Sequence, residues 1–213
     1  PAAGYANAIV GDFYYNSTSG QFKNINDGGA PIGSWASGGN LNTARYGSGG
    51  GGGTTSAIVG GGNTSGGAPG YVTNSESYDG SSWSEVSEIN TARGFLASGT
   101  QTPATAALIF GGATPPYVVS ALTETWNGSS WTETGDLNTA RAYEAGAGSS
   151  YTAVIAATGG AAPGPTTATE LFNGSSWTEI AEVNTARPEG GSGTGTSTAA
   201  FIIGGTNPPG GRH

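Results

Sequence analysis

The chain contains no cysteine, no methionine and a single histidine, His213, at its last position. Without cysteine there are no disulfide staples and no thiolate metal sites, while the redox compartment stays undecided. One histidine in an expected frayed terminus leaves none for a histidine-based triad or a multi-histidine metal cluster. Basic residues are nearly as scarce. Lys23, Arg45, Arg93, Arg141, Arg187 and Arg212 are all there are, against a net charge of −8. A nucleic-acid surface needs a concentrated basic footprint, which this distribution cannot assemble, so no nucleic-acid partner is expected. No apolar run approaches the roughly 20 residues that span a bilayer, and no basic-apolar leader opens the chain, so membrane insertion is not expected either. Position 1 is not methionine, and the chain is expected to be a processed product or a portion of something longer.

What the chain does have is glycine, 41 of 213 residues, and repetition. Residues 170–187, ELFNGSSWTEIAEVNTAR, are echoed by residues 124–141, ETWNGSSWTETGDLNTAR, and by residues 76–93, ESYDGSSWSEVSEINTAR. A shorter copy at 34–45, SWASGGNLNTAR, ends the opening segment. Arg45, Arg93, Arg141 and Arg187 are therefore 48, 48 and 46 residues apart, and Trp35, Trp83, Trp131 and Trp177 keep the same spacing. A period of this length marks a supersecondary unit that is stacked on its own copies.

Within each unit the order is constant. After the Asn-Thr-Ala-Arg end comes a glycine-dense stretch, then a short apolar run closed by glycines: 56–59, 106–110, 153–157 and 199–203. These runs are too short for packed helices and read as strands. A variable loop rich in Gly, Pro, Ser and Thr follows at 63–70, 113–116 and 161–167. The strand holding Glu76, Glu124 or Glu170 is next. An Asx-Gly turn at Asp79-Gly80, Asn127-Gly128 or Asn173-Gly174 then leads into the tryptophan strand, a strong hairpin signal. Residues 1–41 are divergent: 12–16 (DFYYN) and 21–25 (QFKNI) read as the two arms of a hairpin around turn residues 17–20.

A glycine pair after an apolar strand, Glu-x-aromatic, Asx-Gly, Trp and then a basic residue together resemble the kelch repeat over residues 34–206. The resemblance implies an all-β fold, a β-propeller whose blades are four antiparallel strands around an axis. Complete cycles run over 45–89, 93–137 and 141–183, with a partial one at 187–213. The expected organisation is a divergent segment, 1–33, and a repeat domain, 34–213. The partial cycle lacks its glutamate and tryptophan strands, and the N-terminal segment has strands to spare. Joined, they give a four-bladed ring closed by its own termini, which removes exposed sheet edges. A larger propeller, or ends joined between subunits, are the alternatives. The fold does not specify function, since the family includes scaffolds, binding domains and a few enzymes.

The repeat tryptophans are expected to pack between blades. Trp126 shares the slot of Tyr78 and Phe172 and is expected in the same aromatic packing. The arginines are expected to pair with Glu76, Glu124 and Glu170, since a buried guanidinium needs a partner. The Asn-Thr-Ala triplets are read as tight turns. Paired carboxylates such as Glu85 with Glu88, or Glu179 with Glu182, read as polar surface beside the tryptophans. The copper-radical oxidases of the kelch fold use cysteine and histidine ligands, and cysteine is missing here. The run 49–53 lacks the Lys-Ser/Thr of a phosphate loop and reads as flexible or closely packed backbone. Asn16, Asn63, Asn127 and Asn173 open glycosylation-type triplets; three of these read as turns in a Ser/Asn-rich chain, and the pattern matters only where the host glycosylates secreted proteins. Neither catalysis nor a cofactor is expected.

Residues 11–25, GDFYYNSTSGQFKNI, are in turn similar to segments of bacteriophage tail fibres and other virion appendages, and the Gly/Thr/Ser/Ala-rich blades resemble proteins of marine phages. That resemblance implies a non-enzymatic virion structural protein, an extracellular tail fibre or appendage for assembly or host attachment, with variable loops displayed on a repeated frame. Its partners would be other virion proteins or copies of itself, and a host-surface glycan or protein. The alternative is a secreted or cell-surface propeller that binds carbohydrate or protein.

Overall fold

A computed structural model describes residues 13–16, 21–24, 37–64, 70–99, 102–207 and 211–212; Trp35 lies outside them. These residues divide into two compact units, Pro1–Gly38 and Gly39–His213. In the first, β1 (Phe13–Asn16) and β2 (Gln21–Asn24) pair antiparallel, Tyr15 opposite Phe22, as a hairpin.

The second unit is all-β among its described residues, and the repeat is visible as three antiparallel four-stranded sheets. The first sheet runs β3 (Gly49–Gly53), β4 (Ser56–Gly60), β5 (Ser75–Tyr78), β6 (Trp83–Val86). The second runs β7 (Ala97–Ser98), β8 (Leu108–Phe110), β11 (Thr123–Trp126), β12 (Trp131–Glu133), with the short pair β9 (Ala113–Thr114) and β10 (Val118–Val119) rising from its loop. After β13 (Arg141–Ala142), the third runs β14 (Ala145–Ser150), β15 (Ala153–Ala157), β17 (Thr169–Phe172), β18 (Trp177–Glu179), with β16 (Gly160–Ala161) paired to β13. The last cycle gives β19 (Gly190–Thr196), β20 (Ala199–Asn207) and the short β21 (Gly211–Arg212). The apolar run expected at 199–203 thus extends through its glycines, because β21 continues the pairing at Thr206 and Asn207.

Glycine density has a geometric cause. The first strand of each sheet packs on that of the next, β3 on β7, β7 on β14 and β14 on β19. The backbones come so close that side chains do not fit: a Cβ on Gly146 would lie 2.1 Å from the Ser98 carbonyl oxygen, and one on Gly193 2.4 Å from that of Gly146. The run 49–53 is therefore a strand and not a flexible loop. It pairs residue by residue with β4, and a Cβ on Gly51 would meet Thr102 Oγ1 at 2.3 Å. The glycines that close the second strand of each cycle serve a different need. Gly61-Gly62, Gly111-Gly112 and Gly204-Gly205 all have positive φ, and in the third sheet Thr158 takes φ 61° where glycine is the low-strain residue.

Apolar side chains from facing sheets form the core. Ile58, Ile89, Leu96, Ile109 and Trp131 fill the first interface; Leu108, Phe110, Leu137, Val154, Phe172 and Trp177 fill the second. Trp131 and Trp177 each reach back to the preceding sheet. Trp131 lies over Gly60, and Trp177 stacks edge-on against Phe110 at 4.9 Å while its indole N–H donates to Thr123 Oγ1 at 2.9 Å.

Candidate functional site

The ion pairs are the most regular feature of the second unit. Arg45 Nη1 meets Glu76 Oε1, Arg93 Nη2 meets Glu124 Oε1, and Arg141 Nη1 meets Glu170 Oε1, each at 2.6 Å with both side chains fully buried. Every arginine sits just before the first strand of its sheet and every glutamate on the third strand, so each pair ties the entering chain to the sheet it enters. The other carboxylate oxygen receives an asparagine. Asn42, Asn90 and Asn138 each donate backbone N–H and side-chain Nδ2–H to Oε2 of the same glutamate, and the Nδ2 also reaches the carbonyl of Trp83, Trp131 or Trp177. The Asn-Thr-Ala triplets are therefore interlocks between consecutive sheets and not merely turns. The fixed offset of asparagine three residues before every arginine was the sequence signal for this.

These bonds set the electrostatics. Burial opposes ionisation of Glu76, but the Asn42 and Thr43 amides and Arg45 outweigh it and hold its carboxyl below the usual range. Burial draws Arg93 below the usual guanidinium value against the field of Glu124. Arg187, fourth of the series, has no carboxylate partner among the described residues and donates to the Gly204 carbonyl. The carboxylates beside the tryptophans lie on the surface: Glu88 and Glu182 accept from Thr73 and Thr167 at 2.6 Å, while Glu85 and Glu179 are exposed. The Asx turns are four residues long, with Asp79, Asn127 and Asn173 accepting the two serine amides that follow. These amides hold the Asp79 carboxyl down at about 2.

Two features stand outside the repeat. Glu144 occupies the position held by Leu96 one cycle earlier, and it is buried with neither carboxylate oxygen in a well-aligned hydrogen bond. Burial pushes its carboxyl up to about 8, against the pull of nearby amide groups and of Arg141 and Arg93. Its side chain fills the space over Gly111, where a Cβ would stand 1.5 Å from Oε1. The second feature is a group of rings at the loop end of the sheets: Tyr46, Tyr71, Phe95, Tyr117 and Tyr143, centred on Phe95. Neither was evident in the sequence, since Glu144 breaks the pattern of its own repeat and the rings come from five separate loop positions.

The last sheet leaves two apolar surfaces open. A cavity of about 310 Å³ lies between the third sheet and β19–β20, lined by Ala145, Ile155, Ala157, Thr169, Val183 and Ile202 among others. One cycle earlier, the equivalents Ala97, Leu108, Phe110, Thr123 and Leu137 enclose Trp177. On the opposite face of β20, Phe201 and Ile203 are 70% and 63% exposed. No protein-family model and no curated protein sequence matches the chain.

Proposed function

We propose that this chain is a non-enzymatic bacteriophage virion component, a tail fibre or appendage protein of kelch-like propeller design, that works in assembly and host-surface recognition. The observation that carries this reading is the use made of the ionisable side chains. Three arginines and three glutamates are sealed in buried pairs, one to each sheet, while the loops at 63–70, 113–116 and 161–167 differ from cycle to cycle. A frame that repeats its interior and varies its rim suits display and attachment.

The reading includes closure into a four-bladed ring. Trp83, the tryptophan of the first sheet, is only half-buried, unlike Trp131 and Trp177, whereas β20 exposes Phe201 and Ile203, whose equivalents Leu108 and Phe110 lie under a tryptophan. These two surfaces are complementary halves of one more sheet-to-sheet interface. By the period of the sequence, Trp35, the second residue of the repeat domain, is the tryptophan of the fourth blade. Closure in this way supports a compact particle whose edges are paired.

The test is to purify phage particles from the source of the chain and seek its peptides in them by mass spectrometry, then to ask whether antibodies to the chain block adsorption to host cells. Recovery only from a secreted or cell-envelope fraction would refute the virion role and favour the secreted or cell-surface binding propeller.

A further inference from the structure

We infer that the rings around Phe95 form a binding site for a neutral saccharide, a deepening that rests on the host-recognition reading. Phe95 stacks on Tyr143 with centroids 4.3 Å apart and planes at 26°, and Tyr46, Tyr71 and Tyr117 stand around it at 5.7, 5.8 and 6.3 Å. Tyr46 and Tyr117 are 48% and 50% exposed, so the group is open on its outer side.

The backbone argues that the rings are not incidental. Phe95 and Tyr143, each two residues after a repeat arginine, have φ of 59° and 60°, and Tyr117 has φ 116°. At the matching position of the first cycle the chain uses Gly47 at φ 64°, which takes this conformation at little steric expense. Bulky residues rarely adopt positive φ, and their presence there at three neighbouring places points to a role for the side chains themselves.

The chemistry of the rings selects the ligand class. Flat aromatic faces pack against the C–H faces of sugar rings, and phenol hydroxyls both donate and accept hydrogen bonds with sugar hydroxyls. The Tyr143 hydroxyl is raised well above the usual phenol value, first by burial and then by the Tyr117 hydroxyl beside it, so it stays a protonated donor at neutral pH. The repeat arginines are engaged elsewhere: Arg45, Arg93 and Arg141 are buried in their pairs, and Arg187 donates to the Gly204 carbonyl. The charge that Tyr143 does feel is acidic, from Glu189. Sulfated, phosphorylated and uronic-acid glycans are therefore disfavoured, and an uncharged sugar is the better fit.

The experiment uses the full chain on an array of neutral hexose, deoxyhexose and N-acetylhexosamine oligosaccharides, with sulfated and uronic-acid oligosaccharides and a polyproline peptide alongside. The best neutral binder is then titrated calorimetrically. Binding to neutral sugars should be insensitive to salt between 50 and 500 mM, as expected of an uncharged ligand. Tyr117→Ala and Tyr46→Ala should each weaken it at least about tenfold, with Tyr117→Phe intermediate. Tyr151→Ala, at the far end of the third sheet and 38% exposed, should leave it unchanged. Folding of each variant is checked by its thermal midpoint, and Tyr117→Phe serves if an alanine variant does not fold. No neutral binder, preference for anionic sugars or polyproline, or equal affinity in the Tyr117 and Tyr46 variants would each overturn the site. Those results leave the virion role intact, since that role is decided by the particle's peptides.

Discussion

Asn90 and Glu124 meet across a sheet boundary, with the backbone N–H and the Nδ2 of Asn90 both 2.8 Å from Glu124 Oε2, while Arg93 takes Oε1 of the same carboxylate at 2.6 Å. One glutamate thus fastens the chain leaving the first sheet to the third strand of the second. Removing its charge should strand a buried guanidinium, which costs about 3–5 kcal/mol. Glu124→Gln is expected to show that loss in urea unfolding, and Arg93→Met combined with Glu124→Gln to recover part of it. Asn90→Ala should lose about 1–3 kcal/mol. Asn90→Asp should do worse than alanine, because it sets a second carboxylate beside Glu124. A neutral outcome for Glu124→Gln would show that the pair does not hold the sheets together.

Acid and alkaline conditions should act through different residues. The carboxyl of Glu76 is held below its unfolded value, so the stability it contributes is present above the unfolded pKa and disappears as pH falls through the folded one. Glu144 has the opposite sign. Its carboxyl is raised to about 8, so the folded chain keeps a proton that the unfolded chain has released. The native state is therefore favoured less and less as pH rises from the unfolded value near 4.5 toward 8. Glu144→Gln keeps the shape and has no proton to lose. It should be more stable than the parent at pH 8, by roughly 2 kcal/mol or more, with the gap closing toward pH 4. A gap of constant size across that range would mean that Glu144 does not titrate as its burial implies.

Backbone-to-backbone packing of the first strands makes a sharp distinction among glycines. A Cβ on Gly146 would intrude to 2.1 Å of the Ser98 oxygen, whereas Gly164 has open space around it. Gly146→Ala should lose at least about 3 kcal/mol or fail to fold, at the upper end of single-residue effects. Gly164→Ala should be neutral, or gain about 0.4–1 kcal/mol by restricting the unfolded chain. Thermal unfolding of the two variants checks both; equal midpoints would show that the first strands are not in such close contact.

The strand order was legible because it rests on local chemistry: apolar runs ended by glycines, Asx-Gly turns, and tryptophans at a constant period. The pairing of Arg45, Arg93 and Arg141 with glutamates follows from the need of any buried guanidinium for a carboxylate. What stayed hidden depends on approach between distant segments. The run 49–53 has no side chains from which to read an alternation, and only its pairing with β4 makes it a strand. The asparagine before each arginine reads as a turn former in the sequence, because its Glu partner is more than 30 residues away. Glu144 and the rings around Phe95 are departures from the repeat, and a period highlights what recurs.

The closing interface can be tested on tryptophans. Trp177 shows what a completed slot looks like: it is buried between sheets, in contact with Phe110 and Phe172 and bonded to Thr123. The cavity beside β20 offers the same wall, with Thr169 where Thr123 stands. If the ring closes within one chain, Trp35→Ala should cost about 3–5 kcal/mol, as for any large buried aromatic. The native mass should remain that of a single chain. Trp83→Ala should then cost a similar amount, because closure covers Trp83 with Phe201 and Ile203. If the ring instead closes between copies, both substitutions should dissociate an oligomer, and unfolding should depend on protein concentration. A native mass of one chain together with a loss below about 1 kcal/mol in both variants would refute closure by either route, since a truncated indole that costs so little is not buried. Sedimentation of the parent and both variants, alongside their urea unfolding, separates the three outcomes.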